Sequence, residues 1–307
     1  MASDTFTHPF ATVPRMRYRI VHTTNFSYSE AVPLCQNEVH LKPRDTLRQT
    51  CSSHRLEIKP AAHSLEECRD YFGNNLQFFT IQDRHEELTV TSHCSVRLAA
   101  SELTRPSPTG AWQHVVTRLR EGPPAEHWDV RQFAFDSPLV TATPELAAFA
   151  APSFPQGRPW LDGVLDLMGR IYSGFTFDPT ATSISTPLST VLQMKRGVCQ
   201  DFAHLQIGCL RALGLPARYV SGYLLTSPPP GKPRLVGADA SHAWLSAWCP
   251  EYGWIDFDPT NNVVPSLGHI TVAWGRDYSD VCPIQGVFIG GGQHSMRVSV
   301  DVEAIGD

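Results

Sequence analysis

The stretch RGVCQDFAHLQIGCLRALG, residues 196–214, carries the strongest helical pattern in the chain. Phe202, Ala203, Leu205, Ile207, Leu210 and Leu213 recur at three- and four-residue spacing, and Gly214 supplies a stop. Gly197 closes the short helix read over TPLSTVLQMKRG (186–197), so Cys199 falls where the next helix opens. A helix N-terminus presents unpaired amides and the positive end of its dipole, which favours a thiolate over a thiol. The same amides can receive the oxyanion of a tetrahedral intermediate. Cys209, on the same helix, reads instead as a small buried apolar residue, as do Cys35, Cys51, Cys68 and Cys94.

Working outward, three strands follow: ARYVSGYLL (217–225), HAWLSAWC (242–249) and GWIDFD (253–258). PPPGKPRLVGADA (228–240) joins the first two as a mobile loop, and PEYG (250–253) is a tight turn between the others. His242 opens the second strand and Asp258 ends the third. An antiparallel pair joined by a short turn can bring such a start and end together. An imidazole oriented by a carboxylate keeps one tautomer and stabilises the imidazolium that pairs with a thiolate. Cys199, His242 and Asp258 are therefore the candidate nucleophile, base and orienting acid.

Four supporting residues are weighed beside them. Asp256 shares a strand face with Asp258 and is a second carboxylate available to His242. Asp201, early in the helix, reads either as a cap, the preferred role, or as a hydrogen-bonding partner of the active-site loop. Gln193, six residues before Cys199, is either an oxyanion donor or a solvated helix residue. Trp244, with Trp248 and Trp254, reads as core, one of the three being available to wall an acyl site. Arg276, Asp277, Tyr278 and Asp280 line a cleft or form an exposed charged turn. The remaining histidines, including His204, have no partner visible in the sequence.

The first hundred residues differ in kind. RYRIVHTTNFSYS (17–29), HRLEIKP (54–60), LQFFTIQD (76–83) and ELTVTSHCSVRL (87–98) alternate as short strands, with DYFGNN (70–75) as a turn, and predict a small antiparallel sandwich or sheet. The first 15 residues read as a tail and SELTRPSPTG (101–110) as a linker. WQHVVTRLREG (112–122), TPELAAFAAPSF (143–154) and LDGVLDLMGRIYSGFTFDP (161–179) then read as helices, the second capped by Thr143 and stopped by Pro152. MRVSVDVEA (296–304) is a final strand after a glycine-rich turn at 290–292.

Length and composition bound the remainder. A chain of 307 residues is long enough for two packed domains, and 42% hydrophobic with 18% charged residues is ordinary for a globular protein. A net charge of −5 supplies no basic field, so nucleic acid and anionic membrane are disfavoured as partners. No run approaches the roughly 18 consecutive apolar residues of a membrane helix, and the start lacks a secretory pattern. Eight scattered cysteines read as reduced thiols in a cytoplasmic protein. No Cys-x-x-Cys or His pair has metal-ligand spacing, so no metal or cofactor is expected.

RGVCQDFAHLQIGCLRALGLPARYVSGYLL, ADASHAWLSAW and YGWIDFDPTNN together resemble the three catalytic segments of the bacterial transglutaminase-like superfamily. NEVHLKPRDT and DYFGNN resemble that family's N-terminal β-rich domain, and GRDYSDVCPIQGVFIGGG (275–292) resembles the segment closing its catalytic domain. The resemblance implies an α+β fold: a transglutaminase-like, distantly papain-like catalytic domain at 158–305, preceded by an antiparallel β-rich, sandwich-like domain at 16–98 and a helical connector at 99–157. It implies that Cys199 is the nucleophile, His242 the general base and acid, and Asp258 the orienting carboxylate. The expected activity is hydrolysis of an amide or peptide bond in a peptide, protein or amide substrate through a thioester, without cofactor. Protein-glutamine crosslinking and an inactive binding module on the same fold are the alternatives. No dense acidic loop with calcium-ligand spacing accompanies these motifs.

Overall fold

In the computed structural model, which describes residues 14–101, 109–122, 127–226 and 241–306, the alternation of the first hundred residues becomes six strands. These are β1 (Arg15–Val32), β2 (Leu34–Val39), β3 (Gln49–Lys59), β4 (Ser64–Arg69), β5 (Asn75–Ile81) and β6 (His85–Ala99). Helices α1 (Trp112–Glu121), α2 (Trp128–Arg131), α3 (Pro144–Ala150) and α4 (Trp160–Gly174) follow. Thr143 caps α3 as expected, its side chain accepting from the Leu146 amide with Pro144 in the first turn. Then come β7 (Thr176–Phe177), α5 (Leu188–Met194), β8 (Arg196–Gly197) and α6 (Cys199–Ala212). The chain closes with β9 (Ala217–Leu224), β10 (Ser241–Cys249), β11 (Gly253–Phe257), β12 (His269–Gly275), β13 (Ile284–Ile289) and β14 (His294–Ala304). Residues 1–13 of the expected tail, most of the 101–110 linker and the 228–240 loop lie outside the described residues, and Arg15, read as tail, already opens β1.

Three four-stranded sheets organise the chain, in the orders β14-β1-β6-β3, β13-β2-β5-β4 and β11-β10-β9-β12. The first two form the expected sandwich, with Tyr28, Val39, Phe79, Ile81, Leu88 and Val90 in its core. Each also contains a strand from the far end of the chain. β13 pairs antiparallel with β2, and β14 with β1 over eleven residues from Tyr18↔Ala304 to Tyr28↔His294. Strands 284–304, which the sequence reading assigns to the catalytic unit, thus complete the N-terminal sheets. The alternation that marks 296–304 as a strand contains nothing that selects its neighbour.

Strand β1 serves two cores. Its first half contributes Tyr18 and Ile20 to the core shared with α4, α6 and β9, and its second half contributes Tyr28 to the sandwich. The interface carries buried polar pairing as well. His22 hydrogen-bonds the Tyr223 hydroxyl at 3.0 Å and Thr24 at 3.1 Å, and the Tyr18 hydroxyl donates to the Leu267 carbonyl.

Helix α6 lies against β9 and β10 and is buried on nearly every side from Asp201 to Arg211. Such a helix belongs to the centre of a fold. Its C-terminus is set by Gly214, whose φ of +79° lets the Leu215 amide return to the Leu210 carbonyl at 2.9 Å and the Gly214 amide to Arg211 at 2.8 Å. These are the two bonds of a Schellman cap.

Strand β12, to which the sequence reading assigns no element, forms one edge of the β11-β10-β9-β12 sheet, and residues of the sandwich pair with that edge. Gln49 donates to the Thr271 carbonyl at 2.7 Å and accepts from its amide at 2.9 Å. Asn74 does the same for Trp274, at 2.8 and 2.9 Å. Two side-chain amides thus stand in for a missing strand. Arg44 stacks 3.5 Å above the Trp274 ring from the sandwich side, and Arg218 lies 3.7 Å from the same ring.

Candidate active site

The local fold around Cys199 differs from its sequence reading in one respect. Helix α5 ends at Met194 with Lys195 in the left-handed region at φ +53°, so Gly197 is not the residue that closes it. Gly197 sits in β8, paired in parallel with Phe177 of β7, and is required for another reason. A Cβ there would come within 2.6 Å of the Asp201 carboxylate. Asp201 uses that space to fold back over the helix start, accepting from the Val198 amide at 2.8 Å and from the Thr182 hydroxyl at 2.6 Å. Asp201 therefore caps α6, as expected, and ties that helix to the 178–187 loop. The first intrahelical bond runs from the Phe202 amide to the Val198 carbonyl. The amides of Cys199, Gln200 and Asp201 consequently lie outside the helical ladder, at its positive end.

Cys199 is half-buried, and all eight cysteines are free thiols. Burial pushes Cys94 and Cys209 up to about 12 and Cys249 to about 11, which keeps those thiols protonated at neutral pH.

His242, at the start of β10, meets Asp258 just past the end of β11. The imidazole Nε2 lies 2.8 Å from the carboxylate Oδ2. The register of the pair accounts for this meeting: Leu245 faces Phe257, so continuing the two strands in opposite directions brings 242 toward 258–260. A carboxylate accepts only, so Nε2 carries the proton and donates it, leaving Nδ1 for the Cys199 thiol, with which the ring also hydrogen-bonds. Burial favours the neutral ring, but the bonds to Asp258 and Cys199 and the charge of both partners outweigh it and raise the pKa to about 9.

Asp258 is fully buried and saturated with donors. Its Oδ1 accepts from the amides of Thr260 at 2.9 Å and Asn261 at 3.2 Å. Its Oδ2 accepts from His242, from the Asn261 side chain at 2.7 Å, and from Nε2 of His269 at 2.9 Å. Burial alone would raise the carboxyl's pKa. The bonds from His242, His269 and Asn261 and the charge of His242 hold it well below the usual range instead. Among the described residues, the ligand atoms of His242, Asp258 and His269 lie within 4.8 Å of one another, the spacing a metal ion would need. Both rings here donate to one oxygen, and a cation would have to displace both protons.

The other candidates fall elsewhere. Asp256 faces Ser246 across the ladder, and its charge acts on the buried Arg218, so it is not a second acid for His242. A period of two gives Asp256 and Asp258 one face but sets them two residues apart along the strand. Trp244 is fully buried, packed edge-on against His269 at 5.2 Å and tilted against His242 at 6.0 Å. It supports the two rings and does not wall an open acyl site. Gln193 is exposed on α5, and none of the described contacts of Cys199, His242 or Asp258 involves it. Asp277 is buried, accepting from the amides of Leu139 at 2.7 Å and Ser279 at 2.8 Å. His204 accepts from the Tyr278 amide at 3.1 Å. The 276–280 segment is thus a structural knot, not an exposed charged turn.

Two residues of the site have no place in the sequence reading, His269 and Asn261. Asn261 lies within the quoted DPTNN stretch, three residues past Asp258, where a side-chain amide readily returns to a preceding carboxylate. His269 opens β12 and depends on tertiary pairing, which one sequence does not display.

An α6 N-terminus carrying a thiol, packed on an antiparallel sheet that carries His and Asp at adjoining strand ends, defines the transglutaminase-like class of α+β proteins. The chain belongs to the transglutaminase-like superfamily, which it matches over residues 151–259, and residues 18–97 match the bacterial transglutaminase-like N-terminal region. An uncharacterized protein of Mycobacterium tuberculosis is 40% identical over 302 residues, covering 93% of this chain and 92% of its own. One from Mycobacterium leprae is 34% identical over 291 residues, covering 93% and 98%. A protein-glutamine gamma-glutamyltransferase of Pseudomonas aeruginosa is 37% identical over 92 residues, which is 30% of this chain and 14% of that protein. Among solved structures, a candidate cysteine protease from Cytophaga hutchinsonii shares the fold at a TM-score of 0.75 and 21% identity, covering 96% of this chain and 92% of its own.

Proposed function

We propose that the chain is a thiol hydrolase that cleaves an amide or peptide bond through a thioester on Cys199. One observation carries this reading: Asp258 holds His242 through Nε2, and the same ring hydrogen-bonds the half-buried Cys199 thiol at a helix N-terminus. The Cys199 thiolate attacks the carbonyl carbon, and the oxyanion forms beside amides of the α6 N-terminus. As the C–N bond breaks, the His242 imidazolium gives its Nδ1 proton to the leaving amine. Water then attacks the thioester, His242 takes a proton from it, and the carboxylic acid departs as thiolate and imidazolium re-form.

A transamidase would replace that water with a primary amine, and the stretch shared with the Pseudomonas gamma-glutamyltransferase favours keeping this second reading. Crosslinking requires an amine to outcompete water at roughly 55 molar, which takes a dry acyl site. Hydrolysis makes no such demand.

The test is incubation with a glutamine-bearing protein such as casein, with and without a small fluorescent primary amine. Hydrolysis predicts released amine, ammonia or new peptide termini without incorporated label, abolished in Cys199→Ala. Label incorporation would establish the transamidase instead. Wild-type protein no more active than Cys199→Ala across peptide and amide libraries would overturn both in favour of a binding module.

A further inference from the structure

His269 makes the site a four-membered one. It reaches Asp258 from β12, across the sheet from His242, and both rings donate to the same oxygen, at 2.9 and 2.8 Å. Its placement is specified from several sides. Gly222 of β9 lies between the strands that carry the two rings, pairing with His242 on one side and Thr271 on the other. A Cβ there would meet the Trp244 ring at 2.5 Å and the Ile270 carbonyl at 2.2 Å. With glycine in place, the Trp244 ring passes over the strand and packs against both imidazoles. Two residues beyond His269, Gln49 of the sandwich fixes the Thr271 backbone.

We propose that His269 is a positioning residue that shares Asp258 with His242 and thereby limits how tightly His242 holds its proton. This rests on the thiol-hydrolase reading and assigns a further residue to that site. Asp258 does not need His269 to stay in place, because two amides and the Asn261 side chain already hold it. What His269 alters is charge. Its Nε2–H places the positive end of a dipole against Oδ2, beside the point where the His242 imidazolium must be stabilised. A general acid is most effective with a pKa near the working pH, and an unshared buried carboxylate would push His242 above it. The titratable groups that face His242 are Cys199 from α6, Asp258 past β11 and His269 from β12.

The test is an NMR pH titration of His242 in the full chain, alongside its Cys199 alkylation rate from pH 5 to 10. His269→Leu removes the donor, and His269→Gln keeps one. In His269→Leu the His242 midpoint is expected to rise by about one unit, a tenfold change in its proton affinity. In His269→Gln it stays within about 0.3 unit of wild type. A midpoint that is unchanged or falls in a folded His269→Leu protein overturns the proposal, and so does a rise of equal size in His269→Gln. If His269→Leu does not fold, His269→Ala takes its place as the variant without the donor: a midpoint that rises in it and not in His269→Gln supports the proposal, and any other pattern overturns it. Wild-type protein whose Cys199 reacts no faster than Cys68 would defeat the thiol-hydrolase reading itself; an activated Cys199 with a midpoint indifferent to His269 would defeat only this inference.

Discussion

Gln49 and Thr271, 222 residues apart, exchange two hydrogen bonds in the manner of neighbouring strands. The side-chain amide of one replaces the backbone of an absent partner for the other. A sheet edge buried against another unit must have its backbone groups satisfied. Gln49→Leu leaves the Thr271 amide and carbonyl, and the Arg44 carbonyl to which Gln49 also donates, without those partners. The expected loss is about 3 kcal/mol, at about 1–3 kcal/mol for each buried group left unpaired. Urea denaturation followed by tryptophan fluorescence checks it. A loss below about 0.5 kcal/mol, the size of an ordinary surface substitution, would show that the edge is satisfied by other means.

Asp258→Asn separates charge from shape. His242 has its pKa raised to about 9 in the fold, against about 6.5 when unfolded. Its contribution to stability is therefore complete below pH 6.5 and disappears as pH rises through about 9. Removing the carboxylate charge is expected to bring the alkaline limb of any Cys199-dependent rate down from that value toward the ordinary range and to lower turnover about a thousandfold. A pH-rate profile of wild type and variant reads both. An alkaline limb that stays in place would remove Asp258 from the role given to it.

Acid acts on different histidines. Burial lowers the pKa of His22 to about 4 and, first among several causes, that of His204 to about 4. Both rings are neutral in the fold at pH values where the unfolded chain binds protons to them. Stability is thus intact above about pH 6.5 and is lost progressively toward pH 4, by roughly 1 kcal/mol for each ring near pH 5.5. Denaturation midpoints at pH 7.5 and 5.5 measure the loss. His22→Asn, which keeps polar groups facing Tyr223 and Thr24 but does not titrate, should show a smaller drop over that interval than wild type.

What was readable in the sequence divides along physical lines. Cys199, His242 and Asp258 sit at element ends defined by local signals: a helical period after Gly197, alternation and a tight turn. Local signals make their meeting plausible, and the resemblance of the three segments to the transglutaminase-like superfamily is what joins them into one site. Asp256 shows the limit of that reasoning, since its face is set by a period of two but its partner, Arg218, is set by a neighbouring strand. His269, Gln49 and Asn74 act across 11, 222 and 200 residues of sequence, respectively, and no periodicity announces them. Strand β14 shows the same limit at the scale of the fold, because its partner β1 lies at the other end of the chain.

The central claim is that Cys199 is an activated thiol made so by His242. Limited alkylation with iodoacetamide at about pH 6.5, where an unperturbed thiol with a pKa near 8.5 is about 1% ionised, tests it directly by peptide mass spectrometry. The account predicts that Cys199 is modified at least about tenfold faster than the exposed Cys68, and that the difference vanishes in His242→Ala. Equal rates at Cys199 and Cys68 in the wild-type protein would contradict it.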